Sequence, residues 1–258
     1  MIQITINGKP VKATRGEMLL KVLKREGIDV PALCDHKALE PEGNCRLCTV
    51  EITKPSWDGW NKYVTSCLFP VEEDLIVFTH SEELLEIRKN LLDLQLARSP
   101  ESELIQKLAE EHGLYKSSFA TVPEPDNCIM CYACTRICEA LGKSAISPVM
   151  RGHKKVIAPP FGEAAEDCIG CLSCVHICPT DFIKFSDDSG VRTIWNKTFE
   201  LIKCKECGKE TITREFADYI IEKRNIPADY FETCDDCKRQ ATANQMGSIV
   251  KKAKEVAL

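Results

Sequence analysis

An α+β fold is what this sequence predicts, on three observations. Ile2, Ile4 and Ile6 alternate with polar residues, the two-residue period of a strand. From residue 82 to about 113 apolar residues recur at three and four instead, the period of a helix. Sixteen cysteines among 258 residues fall into four sets of four, and four thiolates are the usual complement of one iron–sulfur cluster or one structural zinc.

The first strand runs into Asn7-Gly8, a type I′ hairpin signal, and Val11 and Ala13 carry the return strand. A helix is expected over Glu17 to Glu26, buried through Leu19, Leu20, Val22 and Leu23 and stopped at Gly27. Thr49 to Ile52, the tip Trp57-Asp58-Gly59-Trp60 and Tyr63 to Thr65 read as a second hairpin, and Leu75 to Phe78 as a closing strand. Hairpin, helix, hairpin and closing strand make a β-grasp over residues 1–79.

A helical connector over 80–120 follows. Leu84, Ile87, Leu91 and Leu94 form one apolar row and Leu85, Leu92 and Leu96 a second. Ser99 is the expected N-cap of a further helix, with Pro100 at its first position and Leu104, Ile105 and Leu108 on its inner face. Pro123 and Pro125 close the connector. Residues 121–186 hold an internal repeat, in which Cys128-Ile129-Met130-Cys131-Tyr132-Ala133-Cys134 parallels Cys168-Ile169-Gly170-Cys171-Leu172-Ser173-Cys174. Beyond residue 187 come two C-x2-C knuckles and a charged helical tail.

Cys34, Cys45, Cys48 and Cys67 are spaced C-x10-C-x2-C-x18-C. A loop bearing three thiolates, met by a fourth from a later strand, is how a β-grasp wraps a [2Fe–2S] cluster. Plant-type ferredoxins use C-x4-C-x2-C, so the longer first gap points to another branch; zinc is the competing ligand here. Cys128, Cys131, Cys134 and Cys138, and Cys168, Cys171, Cys174 and Cys178, both follow C-x2-C-x2-C-x3-C. In this two-cluster pattern the fourth cysteine of each run ligates the other cluster. One [4Fe–4S] is therefore expected on Cys128, Cys131, Cys134 and Cys178, and the other on Cys168, Cys171, Cys174 and Cys138. The expected order is a [2Fe–2S] ferredoxin-like β-grasp, the connector, a bacterial-type 2[4Fe–4S] ferredoxin domain, and a zinc-ribbon-like domain over 187–258.

That last domain rests on Cys204, Cys207, Cys234 and Cys237. Two C-x2-C pairs 26 residues apart, with Gly208 after the first and a helix from Arg214 to Arg224 between them, suit one Zn2+; a fourth iron–sulfur cluster is the alternative. Among other residues, His176 reads as a partly exposed spacer. Arg46 either stabilises a reduced cluster or caps a carbonyl, and Trp57 and Trp60 either dock a partner or pack the hairpin.

Disulfide-dense chains are short and secreted, whereas Met1 to Gly8 reads as a strand and not as a signal peptide. No apolar run is long enough to span a bilayer. A net charge of −5 gives no reason to expect nucleic acid. A cytoplasmic, low-oxygen setting is expected. No G-x-G-x-x-G after a strand, P-loop or nucleophile elbow occurs, so flavin and nicotinamide have no visible home and no catalytic residue is assigned.

The stretch Cys34-x10-Cys45-Arg46-Leu47-Cys48, the helix Arg88-Lys89-Asn90-Leu91-Leu92-Asp93-Leu94 and the four-cysteine repeat, in that order, resemble the iron–sulfur subunits of complex I-like NAD-linked enzymes. These include soluble hydrogenases, formate dehydrogenases and flavin-based electron-bifurcating complexes, and the resemblance covers the first 186 residues. The family commonly carries a further cluster, on one histidine and three cysteines, starting at His-Pro. Ser99-Pro100 stands there, no cysteine occurs between Cys67 and Cys128, and the pattern resumes at Glu103 to Ala109, so that cluster is expected to be missing as a unit.

The resemblance implies an electron-transfer subunit working between a flavin- and NAD(P)-binding subunit and a hydrogenase, dehydrogenase or second flavoprotein, with soluble ferredoxin a further partner. A free-standing polyferredoxin carrier and a redox-sensing interaction module are the other readings.

Overall fold

Five strands build the N-terminal sheet: β1 (Ile2–Ile6), β2 (Lys9–Ala13), β3 (Thr49–Thr53), β4 (Lys62–Thr65) and β5 (Ile76–Phe78), in the order β2-β1-β5-β3-β4. This computed structural model describes residues 1–121 and 125–256. The expected break at Pro123 and the last two residues of the tail lie outside the described residues. Asn7 and Gly8 both take positive φ, 48° and 79°, as a type I′ turn requires. β1 and β5 pair in parallel and the other strands antiparallel.

Helix α1 (Leu19–Arg25) covers the sheet with Leu19, Leu20, Val22 and Leu23. Its end is a Schellman motif: Ile28 N–H donates to the Leu23 carbonyl at 3.0 Å and Gly27 N–H to that of Lys24 at 3.2 Å. Gly27 sits at φ +70°, where a Cβ is disfavoured. Ile4, Ile6, Val50, Ile52 and Val77 complete this core.

Helices α2 (Glu82–Arg98) and α3 (Glu103–Glu111) pack on each other and form the connector. The face of α2 differs from expectation. Leu84, Arg88, Leu92 and Leu96 are buried, while Leu85 and Leu94 are 41 % and 51 % exposed. An arginine joins this row because the neighbouring β-grasp offers it carbonyls. Ser99 is the C-cap of α2, donating its N–H to the Gln95 carbonyl at 2.8 Å, and not the N-cap of α3, which is Ser102. Pro100 holds the residue before it out of the helical region, so α3 begins three residues later than expected.

The chain divides into two compact units, Met1–Ala158 with Ser173–Ile183, and Pro159–Leu172 with Lys184–Leu258. The first also holds α4 (Ala133–Ala140), the hairpin β6 (Ser147–Val149) and β7 (Val156–Ala158), and α5 (Ser173–His176), which packs on α4.

The second unit is organised by an antiparallel sheet that the sequence did not disclose: β8 (Phe185–Asp188), β9 (Val191–Ile194), β10 (Lys197–Lys203) and β11 (Glu210–Thr213), in the order β11-β10-β9-β8. Helix α6 (Arg214–Arg224) lies against β10 and β11 over the buried Phe199, Leu201 and Ala217, and has the bounds expected. Thr213 caps it, its hydroxyl accepting from Phe216 N–H. The tail is α7 (Asp235–Val256). No helix among the described residues is long and apolar enough to cross a membrane.

Candidate metal centres

Cys34, Cys45, Cys48 and Cys67 are each 3 % exposed or less. The loop between α1 and β3 supplies three of them, and the turn after β4 supplies Cys67. The Cys48 carbonyl accepts from Ser66 N–H at 3.0 Å and from the Ser66 hydroxyl at 2.7 Å, which ties that turn to the loop. A hydrogen bond from the Cys45 thiol brings Cys34 down to about 6 against the opposing effect of burial, and pushes Cys45 up in return. Cys67 acts likewise on Cys48, which falls to about 7 while Cys67 rises. Metal is ligated by thiolate and not by thiol, so loading such a set releases protons. Arg88, 1 % exposed, donates from Nη2 to the Thr49 carbonyl at 2.9 Å and from Nε to that of Leu47 at 3.3 Å. The guanidinium thereby fixes the backbone on both sides of Cys48.

The sequence repeat of the next two cysteine runs is also a conformational repeat. Met130 and Tyr132 in one run, and Gly170 and Leu172 in the other, all have positive φ between 53° and 64°. Each run makes two left-handed steps around its second cysteine and then enters a helix, α4 or α5. Three of these four residues are not glycine and sit there at roughly 1–2 kcal/mol each, a strain consistent with a fixed function for the turn. Burial pushes Cys128 up to about 11 and raises Cys131 and Cys134. A charge on Cys178 adds to the rise at both Cys131 and Cys134, so the last cysteine of the second run is an electrostatic neighbour of the first. Arg98 Nε donates to the Cys128 carbonyl at 2.6 Å.

Cys174 and Cys178 belong to the first compact unit, and Cys168 and Cys171 to the second. The β8–β11 sheet positions the latter two. Lys197 Nζ donates to the carbonyls of Ala165, Glu166 and Cys168. Arg192, paired bidentately with Asp187, reaches the Gly170 carbonyl at 3.0 Å, and Thr213 Oγ1 that of Ile169 at 2.6 Å. A Cβ on Gly170 would lie 2.8 Å from Thr213 Cγ2 and 2.9 Å from Phe199 Cδ2, so only glycine lets the loop sit this close to the sheet.

Cys204, Cys207, Cys234 and Cys237 bring their sulfurs within 4.8 Å of one another, with Cys207 and Cys234 3.7 Å apart. Tetrahedral zinc with ~2.3 Å bonds sets sulfurs ~3.8 Å apart, so this donor set fits a single ion. Gly208 at φ +73° closes the first knuckle, its N–H on the Cys204 carbonyl at 2.9 Å. Cys234 N–H donates to Cys204 Sγ at 3.3 Å. Backbone donors, that of Cys234 first and that of Cys207 next, bring Cys204 down to about 6. Lys205 with Glu232, and Lys209 with Asp236, join the two knuckles by ion pairs.

His176 is exposed. Arg46 has an exposed side chain and φ 57°, and its carbonyl accepts from Thr49. Trp57 packs on the β-grasp core, with Lys62 Nζ 4.5 Å from its ring, while Trp60 is 75 % exposed. Sequence reasoning missed the arginines and lysine that hold ligand-loop carbonyls: Arg88, Arg98, Arg136, Arg192 and Lys197. For Arg136 a signal existed, its place between Cys134 and Cys138. For Lys197 there was none, because it acts through a sheet that was itself not foreseen.

Residues 1–82 match a 2Fe-2S iron-sulfur cluster binding domain and residues 165–184 a 4Fe-4S binding domain. The NADP-reducing hydrogenase subunit HndD of Solidesulfovibrio fructosivorans is 31% identical over 211 residues, covering 70% of this chain and 35% of that protein. The alpha subunit of the NADPH-Fe(3+) oxidoreductase of Geobacter sulfurreducens is 31% identical over 205 residues, covering 70% and 24%. The chain therefore spans about a third or less of these relatives. A chain in the crystal structure of an NAD+-reducing [NiFe]-hydrogenase in the H2-reduced state superposes with a TM-score of 0.53 and 28% identity, over 61% of this chain and 74% of that one.

Proposed function

We propose, for a chain homologous to iron–sulfur subunits of NAD(P)-linked hydrogenases and oxidoreductases, that it relays single electrons between two catalytic partners. One partner is a flavin- and NAD(P)-binding subunit. The other is a hydrogenase, dehydrogenase or second flavoprotein, in a cytoplasmic complex of the flavin-based electron-bifurcating kind, with soluble ferredoxin as a further partner. The chain itself makes and breaks no substrate bonds.

Its four-part division is 1–79, 80–120, 121–186 and 187–258. Cys34, Cys45, Cys48 and Cys67 hold a [2Fe–2S] centre. Cys128, Cys131, Cys134 and Cys178 hold one [4Fe–4S], and Cys168, Cys171, Cys174 and Cys138 the other. These groups supply one-electron storage, at potentials set by hydrogen bonding, charge and burial. Cys204, Cys207, Cys234 and Cys237 hold a zinc that clips α7 to the sheet of the second unit and carries no electrons; the close sulfur spacing supports one ion there over a cluster.

One observation carries the relay. Cys34, Cys45 and Leu47 of the first ligand loop share a buried apolar core with Ile129, Cys131 and Ala133 of the second. Loops of two independent centres have no reason to be packed in this way, whereas centres that exchange electrons must be close. The test is anaerobic purification of the tagged native chain, with mass spectrometry of what accompanies it. A flavin- and nicotinamide-binding subunit beside a second redox enzyme is the expected result; a lone monomer under gentle conditions overturns the proposal.

A further inference from the structure

Arg136 lies on α4 between two cysteines of the second set, yet its side chain reaches back across the chain to the first. Nη2 donates to the Cys34 carbonyl at 2.8 Å and to that of Cys131 at 3.4 Å. Nη1 donates to the Glu40 carbonyl at 2.8 Å, and Nε lies 2.8 Å from Glu42 Oε2 in an ion pair. One guanidinium thus touches the ligand loop of one expected centre at three residues and that of the other at one. From the opposite side, Asn44 Nδ2 donates to the same Cys131 carbonyl at 3.3 Å. The side chain is only 15 % exposed, so these bonds are weakly screened.

The chemistry suits arginine alone. Its planar fork presents several donors in fixed directions, and its charge persists at every physiological pH. A lysine's three donors radiate from one nitrogen and suit carbonyls gathered around a single point, as at Lys197, whereas here two separate nitrogens are engaged, Nη1 by Glu40 and Nη2 by Cys34 and Cys131.

We propose that Arg136 is the bridge between the first two centres: a positioning residue that, with Asn44, holds the Cys34 and Cys131 loops in register for electron transfer. The proposal rests on the relay reading above. The step is one-electron: the donor centre is oxidised by one electron, the acceptor reduced by one, and no bond to Arg136 forms or breaks.

The experiment uses the full chain with its iron–sulfur centres loaded, as wild type, Arg136→Met, Arg136→Lys and Asn44→Ala. Iron and sulfide content reports loading. Photoreduction followed by freeze-quench EPR reports the rate between the two centres, and relaxation enhancement of the [2Fe–2S] signal reports their separation. Because electron tunnelling weakens steeply with distance, R136M should load normally, transfer electrons severalfold more slowly, and show weaker relaxation enhancement. R136K should recover part of the rate, and N44A should lie between wild type and R136M.

Equal rates in wild type and R136M overturn the bridge while leaving the relay intact. If R136M fails to load, N44A decides: a loaded N44A with slowed transfer supports the bridge, and one with wild-type transfer overturns it. If wild type passes no electron between the two centres, the relay itself fails, a result distinct from any variant effect.

Discussion

The ammonium of Lys197 stands 2.8 Å from the Cys168 carbonyl oxygen, and the Glu166 and Ala165 carbonyls, at 2.7 and 3.1 Å, use its other two donors. All three N–H bonds are spent on one turn of backbone that leads into a ligand. The residue opens β10, so the sheet of the second unit determines where Cys168 sits.

Replacing that lysine tests the arrangement. Lys197→Met leaves three carbonyls without their cation, and should lower the unfolding free energy by about 2 kcal/mol, in the range of charge-assisted hydrogen bonds. Loss of the positive charge should also lower the midpoint potential of the centre bound by Cys168, by about 60 mV for a tenfold shift in a one-electron equilibrium. Redox titration followed by EPR measures it, and an unmoved potential would count against the electrostatic part.

Gly170→Ala should be worse than its size suggests. The added methyl meets Thr213 and Phe199 below 3.0 Å at a φ of +64°. Strain and overpacking together should cost about 2–4 kcal/mol, and the protein should purify with about four fewer irons. Iron analysis beside thermal melting is the check.

Arg88 is a buried charge of the connector. Burial lowers its pKa, yet two carbonyls beside Cys48 depend on it. Arg88→Leu keeps the apolar stem but leaves those acceptors dry and unpaired, which should cost about 2–3 kcal/mol. The visible absorption of the [2Fe–2S] centre should bleach at lower denaturant than in wild type. Lys89→Leu, one position along the helix, should leave that midpoint unchanged.

Metal analysis of the anaerobically purified chain should give about ten irons and one zinc. Cys237→Ser should lose the zinc and keep the iron. About fourteen irons without zinc would replace the single-ion site by a fourth cluster.

Asp93 supplies a pH dependence of known sign. The Ser117 hydroxyl first, and then Ser118, hold its carboxyl below the usual range. A carboxylate depressed on folding stabilises above its unfolded pKa, roughly pH 4, and that contribution disappears as pH falls through the folded value. Amide exchange at Ser118 should therefore be about tenfold faster in Asp93→Asn than in wild type at pH 7. The two proteins should converge once the pH has fallen through the depressed folded value.

Much of this was legible because local chemistry wrote it. Asn7-Gly8, the stop at Gly27 and the bounds of α6 depend on residues adjacent in sequence, and cysteine spacing is set by the centres themselves. The failures have long-range causes. Ser99-Pro100 looked like a helix start because the two residues suit one; the hydrogen bond that Ser99 N–H donates to the Gln95 carbonyl makes the serine the end of α2 instead. Arg88 takes a place in the buried face of α2 while Leu94 of one expected row and Leu85 of the other stay exposed, since nothing in the helix records the two carbonyls waiting across from the arginine. β8 is exposed along its whole length, so it shows no alternation to find, and with it the clamp on Cys168 stayed hidden.

The separation in sequence between Arg136 and its acceptors has a consequence for biosynthesis. The Glu40 and Cys34 carbonyls wait for a donor 96 and 102 residues further along. At ~5–20 residues per second a ribosome needs ~5–20 s to deliver it. During that interval the earliest thiols are exposed to oxidants and to scavenging metals, and a scaffold protein inserting the N-terminal centre meets a loop not yet held by its clamp. Cofactor insertion is therefore expected to run against the order of synthesis, with the first cysteines translated among the last to be filled.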